Sequence, residues 1–452
     1  MKQCFKAFDY FSFKSSSYLV INPQVSHHFV ANTQVRMIVT PPKNPKASFR
    51  APYFQSKTFY RLYPLVGLYY AIIHLALLFF PMPISKLEPT DCIQVNCSSS
   101  SNQRSIAIVT GSNTGIGFET ASSLVERGFL VILACRDEEK GQMAATKINS
   151  KSASIANQSL VDGGGEAIFE VPLNLSSMTS VRKFCFHFSN KYNHLNILVN
   201  NAGINSCGTS NDGLELCFQT NFLGHFLLTN LLLNQLMRSQ NKMENGEVEA
   251  GRVVNLSSVC HHFASPCEER KGGSGSMAFD ADWWRDTATI HVSNNTYKES
   301  KLASLIFTRE LNKRFNSMGL RAIACNPGSV NSDIWRKSPK WVVNMFKHVY
   351  LDTKQGSSTS LAAAIGNIPK GAIYLQPYWQ PFSLKESAKK PVPSSFKQWY
   401  STPHPSFEML GPYVGFAVTE PRLPYNLDEV CAPALWSVSE ELVGIKKRDW
   451  KH

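Results

Sequence analysis

A tyrosine and a lysine stand four residues apart in the segment Thr296–Ala303, which reads Thr-Tyr-Lys-Glu-Ser-Lys-Leu-Ala. In a helix this spacing places Tyr297 and Lys301 on the same face, one turn apart. An ammonium group held near a phenol favours the phenolate, so the tyrosine would exchange a proton closer to neutral pH. The same pair also occurs on ordinary solvated helix faces, and its meaning depends on the segments that the fold brings beside it.

A glycine-rich turn lies upstream, within Ser105–Gly117. A short run of Ile and Val residues is followed by Gly111, Gly115 and Gly117 and then by a helical pattern over Phe118–Arg127. A strand, a glycine turn and a helix in this order place a pyrophosphate at a helix N-terminus, where glycines let the backbone approach closely. The spacing is G-x-x-x-G-x-G rather than the more usual G-x-G-x-x-G, and a merely tight turn is the alternative.

Two further apolar segments end in small polar residues. Leu195–Gly203 runs into Asn-Asn-Ala-Gly, and Arg252–Val259 runs into Ser257 and Ser258. Ligands of open α/β sheets bind at the carboxyl ends of the strands. A serine hydroxyl in that position can donate to a substrate carbonyl oxygen on which negative charge develops. The alternation of strand-like and helix-like stretches from Ser105 to Cys325 predicts an α/β fold, a Rossmann-like doubly wound parallel sheet.

Together these segments resemble the classical short-chain dehydrogenase/reductase family. The resemblance covers roughly Ser105 to Ile445, with insertions, and includes Asn221 in Thr-Asn-Phe-Leu-Gly-His and the pair Pro327-Gly328. Three stretches, Asn-Thr-Gly-Ile-Gly-Phe-Glu-Thr-Ala, Leu-Ala-Cys-Arg and Trp-Ser-Val-Ser-Glu-Glu-Leu-Val-Gly, are most similar to the retinol dehydrogenase and WW-domain oxidoreductase branch. The stretch Asn-Pro-Gly-Ser-Val-Asn-Ser-Asp-Ile-Trp is also similar to plant oxidoreductases of the forever-young type.

The resemblance implies an oxidoreductase that transfers a hydride between a nicotinamide and a carbonyl or alcohol. Tyr297 would be the general acid/base, and Lys301 would lower its pKa and hold the nicotinamide ribose. Ser258, rather than Ser257, would polarise the substrate oxygen, and Asn221 would hold a water in the proton relay. The implied cofactor-binding residues are Gly111, Ser112, Asn113, Gly115, Ile116, Gly117, Arg136, Asn174, Leu175, Asn201, Ala202, Gly203, Tyr297, Lys301, Pro327, Gly328, Val330 and Ser332.

The charge at the end of the second predicted strand favours NADP over NAD. An NAD enzyme usually places Asp or Glu about 20 residues beyond the turn to accept from the ribose 2′-hydroxyl. Here the strand Phe129–Ala134 is followed by Cys135 and Arg136, and the nearest acid is Asp137. A guanidinium at this point can bind a 2′-phosphate through two hydrogen bonds. The alternative is an ordinary solvated arginine.

One predicted cofactor residue departs from the family pattern. The family's adenine-contacting aspartate after the third strand is Asn174 here. An amide oxygen can still accept a hydrogen bond from the adenine amino group, so we expect weaker binding of adenine rather than none.

The basic character of the chain is concentrated near its start. The formal net charge is +13, and residues 1–61 alone hold nine Lys or Arg against one acid, Asp9. These basic residues are scattered and no nucleic-acid motif accompanies them, so we expect no nucleic-acid partner.

A stretch without formal charge follows, the 24 residues of Leu62–Ser85. A membrane-spanning helix needs ~20 apolar residues. We therefore expect a membrane anchor in residues 62–85, ahead of the enzyme domain; a helix buried against that domain and a targeting segment are the alternatives. The positive charge before the span predicts a cytosolic N-terminus, while the side that the enzyme domain faces stays open. We expect the endoplasmic reticulum membrane, with organelle targeting as the alternative.

The enzyme domain is expected to occupy residues 101–452, with insertions near 149–165, 241–287 and 376–424 and a final helix at about Asp428–Gly444. Whether the second insertion shapes the substrate pocket or loops out stays open.

The sequence predicts no metal site, because no histidine has a ligand spacing with Cys or acids. Eleven cysteines without a C-x-x-C pair do not indicate a disulfide framework.

Two functions stay open. One is an NADP-dependent dehydrogenase or reductase of a lipophilic small molecule such as a retinoid, sterol or lipid aldehyde. The other is a nucleotide-binding regulatory or scaffold protein that keeps the fold with little turnover. A homodimer is left open in either case.

Overall fold

A sheet of mostly parallel strands lies between two layers of helices. The structure is a computed structural model that describes residues 104–156, 164–242, 248–264, 279–289, 296–332, 351–369, 371–378, 415–418, 421, 423–424 and 426–445. In chain order the strands are β1 (Ile106–Thr110), β2 (Leu130–Ala134), β3 (Glu166–Ile168), β4 (Ile197–Asn200), β5 (Asn241–Lys242), β6 (Val248–Glu249), β7 (Arg252–Leu256), β8 (Arg321–Cys325), β9 (Tyr374–Tyr378) and β10 (Gly415–Val418).

The helices in the described part of the chain alternate with these strands. They are α1 (Gly115–Val125), α2 (Glu138–Ala156), α3 (Met178–Lys191), α4 (Leu216–Phe218), α5 (Gly224–Leu231), α6 (Leu233–Met237), α7 (Ala281–Thr289), α8 (Tyr297–Phe315), α9 (Thr353–Ile365) and α10 (Ala432–Val443). Two π-helical segments, Gln219–Leu223 and Leu427–Cys431, lead into α5 and α10, and a 3₁₀ turn, Val259–Phe263, follows β7.

The strand order confirms the predicted doubly wound sheet. Across the sheet the order is β10-β9-β8-β7-β4-β1-β2-β3. All pairings are parallel except that of β10 with β9, which closes one edge in the antiparallel sense. The chain builds outwards from β1 to β3, then returns to the other side of β1 and builds outwards again from β4. This reversal creates the crevice in which open α/β sheets bind their ligands.

Successive side chains of β8 pack against different helices, which shows that helices cover both faces of the sheet. Ile323 and Cys325 belong to a core that includes the apolar residues of α1 and α9. Ala324, between them, packs with Leu305 of α8. Successive side chains of a strand point to opposite faces, so α9 and α8 lie on opposite sides. Strands buried on both faces read as continuous apolar runs, as in Ile106–Thr110, all five residues of which are buried.

A buried ionic cluster closes the amino edge of the sheet, away from the crevice. Arg252, fully buried, donates from Nη2 to Glu249 Oε2 at 2.7 Å and from Nη1 to the Gly366 carbonyl at 2.8 Å. Arg321 donates to the other Glu249 oxygen at 2.9 Å. These bonds tie the C-terminal end of α9 to β7 and β8, so this edge is held by structural interactions and leaves the carboxyl edge for a ligand.

The predicted insertions correspond only in part to irregular structure. Helix α2 continues to Ala156, and Asn149 within it pairs through its amide with the Ala167 backbone of β3, at 2.8 and 2.9 Å. The Ser- and Asn-rich start of the region 149–165 is therefore helical. The region 241–287 contains β7, in the middle of the sheet. The region 376–424 contains β10 and overlaps β9, while the predicted final helix agrees with α10.

The predicted N-terminal segment and membrane anchor, residues 1–61 and 62–85, lie outside the described residues. Among the helices that the structure does describe, none is long and apolar enough to cross a bilayer.

Candidate active site

The predicted site residues converge on the carboxyl edge of the sheet, around the crevice between β1 and β4. Parallel strands end at the same edge, so the segments after β1, β2, β4, β7 and β8 come together there.

The glycine turn after β1 folds tightly against the turn after β4. Gly111 and Gly115 adopt positive φ angles of 64° and 63°, a region that other L-residues rarely visit. A Cβ atom at Gly117 would lie 2.4 Å from both Asn201 Nδ2 and the Gly111 carbonyl oxygen. At Gly115 a Cβ atom would meet nothing within 4 Å. The turn is therefore closed on the protein side and open above Gly115, where α1 begins.

The start of helix α1 in this turn fits the phosphates of a dinucleotide. The Ser112 side chain is completely buried, and its hydroxyl has no hydrogen-bond partner among the described residues. Helix α1 begins at Gly115 with no acidic residue in its first turn. Its N-terminal N–H groups and the positive end of its dipole therefore stay available to an anion.

Asn201 and Thr110 hold the two turns together. Asn201 donates from Nδ2 to the Thr110 carbonyl at 2.7 Å. The Thr110 hydroxyl accepts from the backbone N–H groups of Asn201 and Ala202, both at 2.9 Å. Gly203 lies close to the predicted catalytic residues, since a Cβ atom there would lie 3.6 Å from Lys301 Nζ. The Asn-Asn-Ala-Gly stretch thus connects the glycine turn to the predicted catalytic residues.

Arg136 lies exposed at the end of β2 and forms no ion pair among the described residues. Its neighbour Asp137 is occupied: one carboxylate oxygen accepts from the Lys140 backbone N–H at 3.0 Å, and the other from Lys140 Nζ at 2.7 Å. These bonds lower the pKa of Asp137. The acid nearest to the strand end therefore caps α2, and the guanidinium is the free charged group at this point.

The predicted role of the Asn174 oxygen does not fit its hydrogen bonds. Oδ1 accepts from the Ser176 N–H at 3.1 Å and from the Ser176 hydroxyl at 2.8 Å. Both lone pairs of this amide oxygen are thus engaged. What Asn174 has left is the Nδ2 donor, which does not match an adenine amino group. Its neighbour Leu175 packs against the start of α5, where a Cβ on Gly224 would lie 2.6 Å from the Leu175 carbonyl oxygen.

Tyr297, Lys301 and Ser258 come together where α8 passes the end of β7. Tyr297 and Ser258 share a side-chain hydrogen bond, and Lys301 Nζ lies 5.4 Å from the Tyr297 ring centroid. Ser257 points elsewhere: it is buried and donates to the Lys301 carbonyl at 2.9 Å. The second serine of the pair is therefore the one beside the tyrosine, as the resemblance implied.

Burial shifts the pKa values of Tyr297 and Lys301 in opposite directions. Desolvation raises the pKa of the Tyr297 phenol, while the hydrogen bond from Ser258 lowers it. Desolvation lowers the pKa of Lys301 to about 8, and its Nζ donates to the Leu256 carbonyl at 2.8 Å. The expected depression of the tyrosine pKa by Lys301 is therefore not found, because burial is the largest influence on this pKa and raises it, and the group that lowers it is Ser258.

Asn221 lies in the π-helical segment before α5, with its side chain fully engaged. Oδ1 accepts from the Ile204 N–H at 2.8 Å, and Nδ2 donates to the Ile204 carbonyl at 3.0 Å and to the Ser300 hydroxyl at 3.1 Å. These bonds fix the π-helical segment against the loop after β4 and against the first turn of α8. A water held by Asn221 would have to use its main chain.

The predicted residues after β8 form a curved loop at the same edge. Gly328 has a φ of 81°, and Val330 pairs with Leu351 in an isolated bridge. A Cβ on Gly356 of α9 would lie 2.4 Å from Val330 Cγ2, so the loop packs directly on that helix. Pro327 and Ser332 are partly exposed in this loop.

Comparison with known proteins agrees with this geometry. The family model described as short chain dehydrogenase matches residues 105–269. Retinol dehydrogenase 11 of Mus musculus is 37% identical over 265 residues, which cover 58% of this chain and 73% of that protein. Retinol dehydrogenase 13 of Homo sapiens is 31% identical over 341 residues, 75% of this chain and 84% of that protein. This chain belongs to the short-chain dehydrogenase/reductase family. It lies near the retinol dehydrogenase branch.

A solved short-chain dehydrogenase from Sphingobium yanoikuyae, in complex with NADPH, shares 18% identity with a TM-score of 0.40 and covers 57% of this chain and 83% of that one. A similarity of this size carries no inference about the cofactor of this protein.

Two buried residues of this dehydrogenase domain escaped the sequence analysis. His225 bridges Thr110 and Asn221 at 2.9 Å on each side. Glu215 is also fully buried; it accepts from the Phe218 N–H at 2.7 Å and from the Thr296 hydroxyl just before Tyr297. Burial raises the pKa of the Glu215 carboxyl. One partner of each residue is distant in sequence, Thr110 for His225 and Thr296 for Glu215, so only the apolar surroundings of these polar residues could have indicated their roles.

The packing at Gly117 generates a prediction for this short-chain dehydrogenase. Gly117→Ala should displace Asn201 and weaken binding of a nicotinamide cofactor, for which NADPH serves as the probe, because the added methyl overlaps the Asn201 amide and the Gly111 carbonyl; overpacking costs ~1–3 kcal/mol. NADPH affinity by fluorescence titration and Tm check this. The matched control is Gly213→Ala, where φ is 78° and nothing lies within 4 Å. That change should lower only Tm, and equal NADPH affinities of the two variants would contradict the assigned turn.

Proposed function

We propose that this protein is an NADP-dependent oxidoreductase that transfers a hydride between the nicotinamide and a carbonyl or alcohol. The observation that carries the proposal is the hydrogen-bonded pair of Ser258 and Tyr297, with Lys301 Nζ 5.4 Å from the tyrosine ring. The pair lies at the carboxyl edge of the sheet, on the same crevice as the glycine turn and the N-terminus of α1. A proton donor, an oxygen-polarising hydroxyl and an anion site therefore share one crevice.

The residues of the chain divide the chemistry between them. The bound nicotinamide would supply or take up the hydride. In reduction, the Ser258 hydroxyl donates to the substrate carbonyl oxygen and orients it, while Tyr297 delivers the proton that the new alcohol oxygen needs. Burial holds Tyr297 in its protonated, acidic form. Below pH 8 the Lys301 ammonium adds positive charge beside the developing alkoxide and tyrosinate. Oxidation uses the same groups in reverse.

The substrate class is proposed to be lipophilic: a retinoid, a sterol or a lipid aldehyde. The support is the identity of 37% to retinol dehydrogenase 11 and of 31% to retinol dehydrogenase 13. The second candidate, a regulatory or scaffold protein that binds the nucleotide without turnover, is favoured only by the engaged oxygen of Asn174, which predicts weaker adenine binding.

Removal of the phenol hydroxyl tests the function. Tyr297→Phe should lower kcat for carbonyl reduction by about 10²–10⁴-fold, the range of general acid catalysis, and leave the Kd for NADPH nearly unchanged. The measurement is turnover of a panel of lipophilic aldehydes and ketones with NADPH, beside Kd by fluorescence titration. Tyr192→Phe, on the far end of α3, is the control and should keep wild-type kcat. Equal turnover of Tyr297→Phe and wild type would remove the mechanism. A wild type that binds NADPH and reduces nothing would favour the scaffold function.

The choice of NADP rests on the contrast between Arg136 and Asp137. A free guanidinium at the end of β2 suits a 2′-phosphate, to which it can donate two charge-assisted hydrogen bonds. The carboxylate that an NAD enzyme would offer to the ribose is held by Lys140 instead. Both observations favour the phosphorylated cofactor.

Reversing the charge at position 136 should reverse the preference for NADPH over NADH. Arg136→Asp repels the 2′-phosphate and offers an acceptor to a 2′-hydroxyl, so the ratio of kcat/KM with NADPH to that with NADH should invert. Arg136→Gln, which removes the charge alone, should lower the ratio by a smaller factor. Steady-state kinetics with both cofactors give the ratio. A wild type that prefers NADH, or a ratio that is the same in all three proteins, would leave Arg136 as a solvated residue.

The lowered pKa of Lys301 predicts a pH limit for reduction. The kcat/KM for a carbonyl should be level below about pH 8 and fall above it, as Lys301 loses its charge. The folded pKa lies below the ordinary value of 10.5. Between these two values the unfolded chain binds more protons, so the same group makes folding more favourable as pH rises. Loss of activity above pH 8 with unchanged or higher Tm is therefore the expected signature. A flat profile up to pH 10, or a fall that persists unchanged in Lys301→Met, would contradict the assignment.

Membrane attachment through residues 62–85 is part of the proposal, with the endoplasmic reticulum as the expected location; it is supported by the sequence of Leu62–Ser85 alone. Deletion of residues 62–80 should move the protein from the membrane pellet to the soluble fraction and leave its NADPH affinity unchanged. Full-length protein that is soluble without detergent would show that this stretch is not an anchor.

A further inference from the structure

A buried histidine joins the cofactor turn to the segment that carries Asn221. His225, on α5, is only 3% exposed. One ring nitrogen, Nδ1, lies 2.9 Å from the Asn221 carbonyl oxygen, and the other, Nε2, lies 2.9 Å from the Thr110 hydroxyl. The two contacts join residues that are 111 positions apart in the sequence, one at the end of β1 and one in the π-helical segment.

The partners of the imidazole fix its tautomer. A carbonyl oxygen can only accept, so Nδ1 carries the proton and donates to Asn221. Nε2 is then the acceptor for the Thr110 O–H at 2.9 Å, a shorter contact than the one that the same hydroxyl makes with the Val199 carbonyl at 3.3 Å. The Thr110 oxygen in turn accepts from the N–H groups of Asn201 and Ala202. Hydrogen bonds therefore run in one direction, from the Asn-Asn-Ala-Gly turn through Thr110 and His225 to the Asn221 carbonyl.

The surroundings of His225 keep this arrangement in one protonation state. Burial, together with the smaller effect of the Lys301 charge, lowers the pKa of the imidazole to about 4, against the hydrogen bond to Asn221, which raises it. The ring is therefore neutral at any pH at which the protein would work. A protonated ring would present a second N–H to Thr110, whose hydroxyl would have to turn away.

We propose that His225 is a positioning residue that sets the main chain at Asn221 against the cofactor turn, so that the proton relay and the bound cofactor keep a fixed relation. The inference rests on the proposed oxidoreductase function. The Asn221 side chain is fixed separately by Ile204 and Ser300. Its carbonyl is the group that His225 holds, and the Thr110 side of the same ring holds the cofactor turn.

Two conservative variants separate the two contacts of the ring. The amide nitrogen of asparagine lies as many bonds from Cα as Nδ1 does, so His225→Asn keeps the donor to the Asn221 carbonyl and loses Thr110. The amide oxygen of glutamine lies as far out as Nε2, so His225→Gln keeps an acceptor for the Thr110 O–H and loses Asn221. His225→Leu loses both contacts while filling the buried volume.

The expected result is a split between catalysis and cofactor binding. His225→Gln should lower kcat about tenfold with NADPH affinity close to wild type, since leaving a buried polar group unpaired changes an equilibrium constant about 5- to 150-fold. His225→Asn should weaken NADPH binding by a similar factor with a smaller loss of kcat. His225→Leu should lose both. Parallel changes of kcat and Kd in all three variants, in proportion to Tm, would overturn the proposal, as would unchanged values in all three.

A measurement without turnover separates this inference from the proposed function. ¹⁵N chemical shifts of the His225 imidazole in the full-length protein report its tautomer directly, and the neutral Nδ1–H form is expected from pH 5 to pH 9. An Nε2–H or doubly protonated ring would overturn the proposal even if the enzyme is active. A wild type that binds NADPH but reduces no carbonyl would overturn the proposed function, whatever the tautomer. If His225→Leu does not fold, the His225→Gln and His225→Asn variants and the tautomer still test the proposal, because each of them leaves the bonds of Thr110 to Asn201 and Ala202 in place.

Discussion

The structure depends on how the buried polar groups at the ends of β1 and β4 form their hydrogen bonds. Between these two strands the direction in which the chain adds strands to the sheet reverses. The strands separate here, so the backbone N–H groups of the turn after β4 have no continuing ladder to pair with. One hydroxyl, that of Thr110, accepts from two of them. The Asn201 amide returns a bond to the Thr110 carbonyl. The tight contact at Gly117 follows from this closure, since no room is left for a side chain between the two turns. The two turns that would contact a dinucleotide are therefore held in place by the hydrogen bonds that satisfy buried backbone groups.

A second buried network of hydrogen bonds fixes the position of α8, the helix that begins with Tyr297 and contains Lys301, on the sheet. Asn200 and Asn255 face each other in adjacent strands, and their side chains bond at 2.8 Å. Asn200 also donates to Thr229 of α5, and Asn255 donates to Thr308 of α8. The two helices that carry the predicted relay and the Tyr297–Lys301 pair are thus tied to the strands by amides inside the sheet layer. Such a network fixes a unique packing of helix on sheet, because a shift of either helix would leave a buried amide unpaired.

Local spacing predicted the parts of the site that are encoded within a few residues. The glycine turn, the Asn-Asn-Ala-Gly stretch and the Tyr297–Lys301 pair each lie within one short segment, and their elements end within a few residues of the predicted bounds. The sequence could not reveal Thr110, His225 or Glu215 as partners, because each contact joins segments 81 to 115 residues apart. For the same reason the sequence misjudged the pKa of Tyr297. A one-turn spacing suggests a charge effect of Lys301, whereas the desolvation of both groups comes from the whole surrounding fold.

The remaining helices limit the surface that a second copy of the chain could use. Trp436 of α10 packs edge-on against Phe226 of α5, with ring centroids 5.1 Å apart, and lies 5.9 Å from Phe307 of α8. The Arg314 guanidinium lies 4.1 Å from the centre of the same indole, a cation–π contact that shields its other side. The apolar aromatic face of α5 and α8 is therefore already covered within the chain. Since uncovered apolar faces drive stable association, a homodimer through this face would require α10 to leave it and expose Trp436. Any dimer that keeps α10 in place must form through another surface.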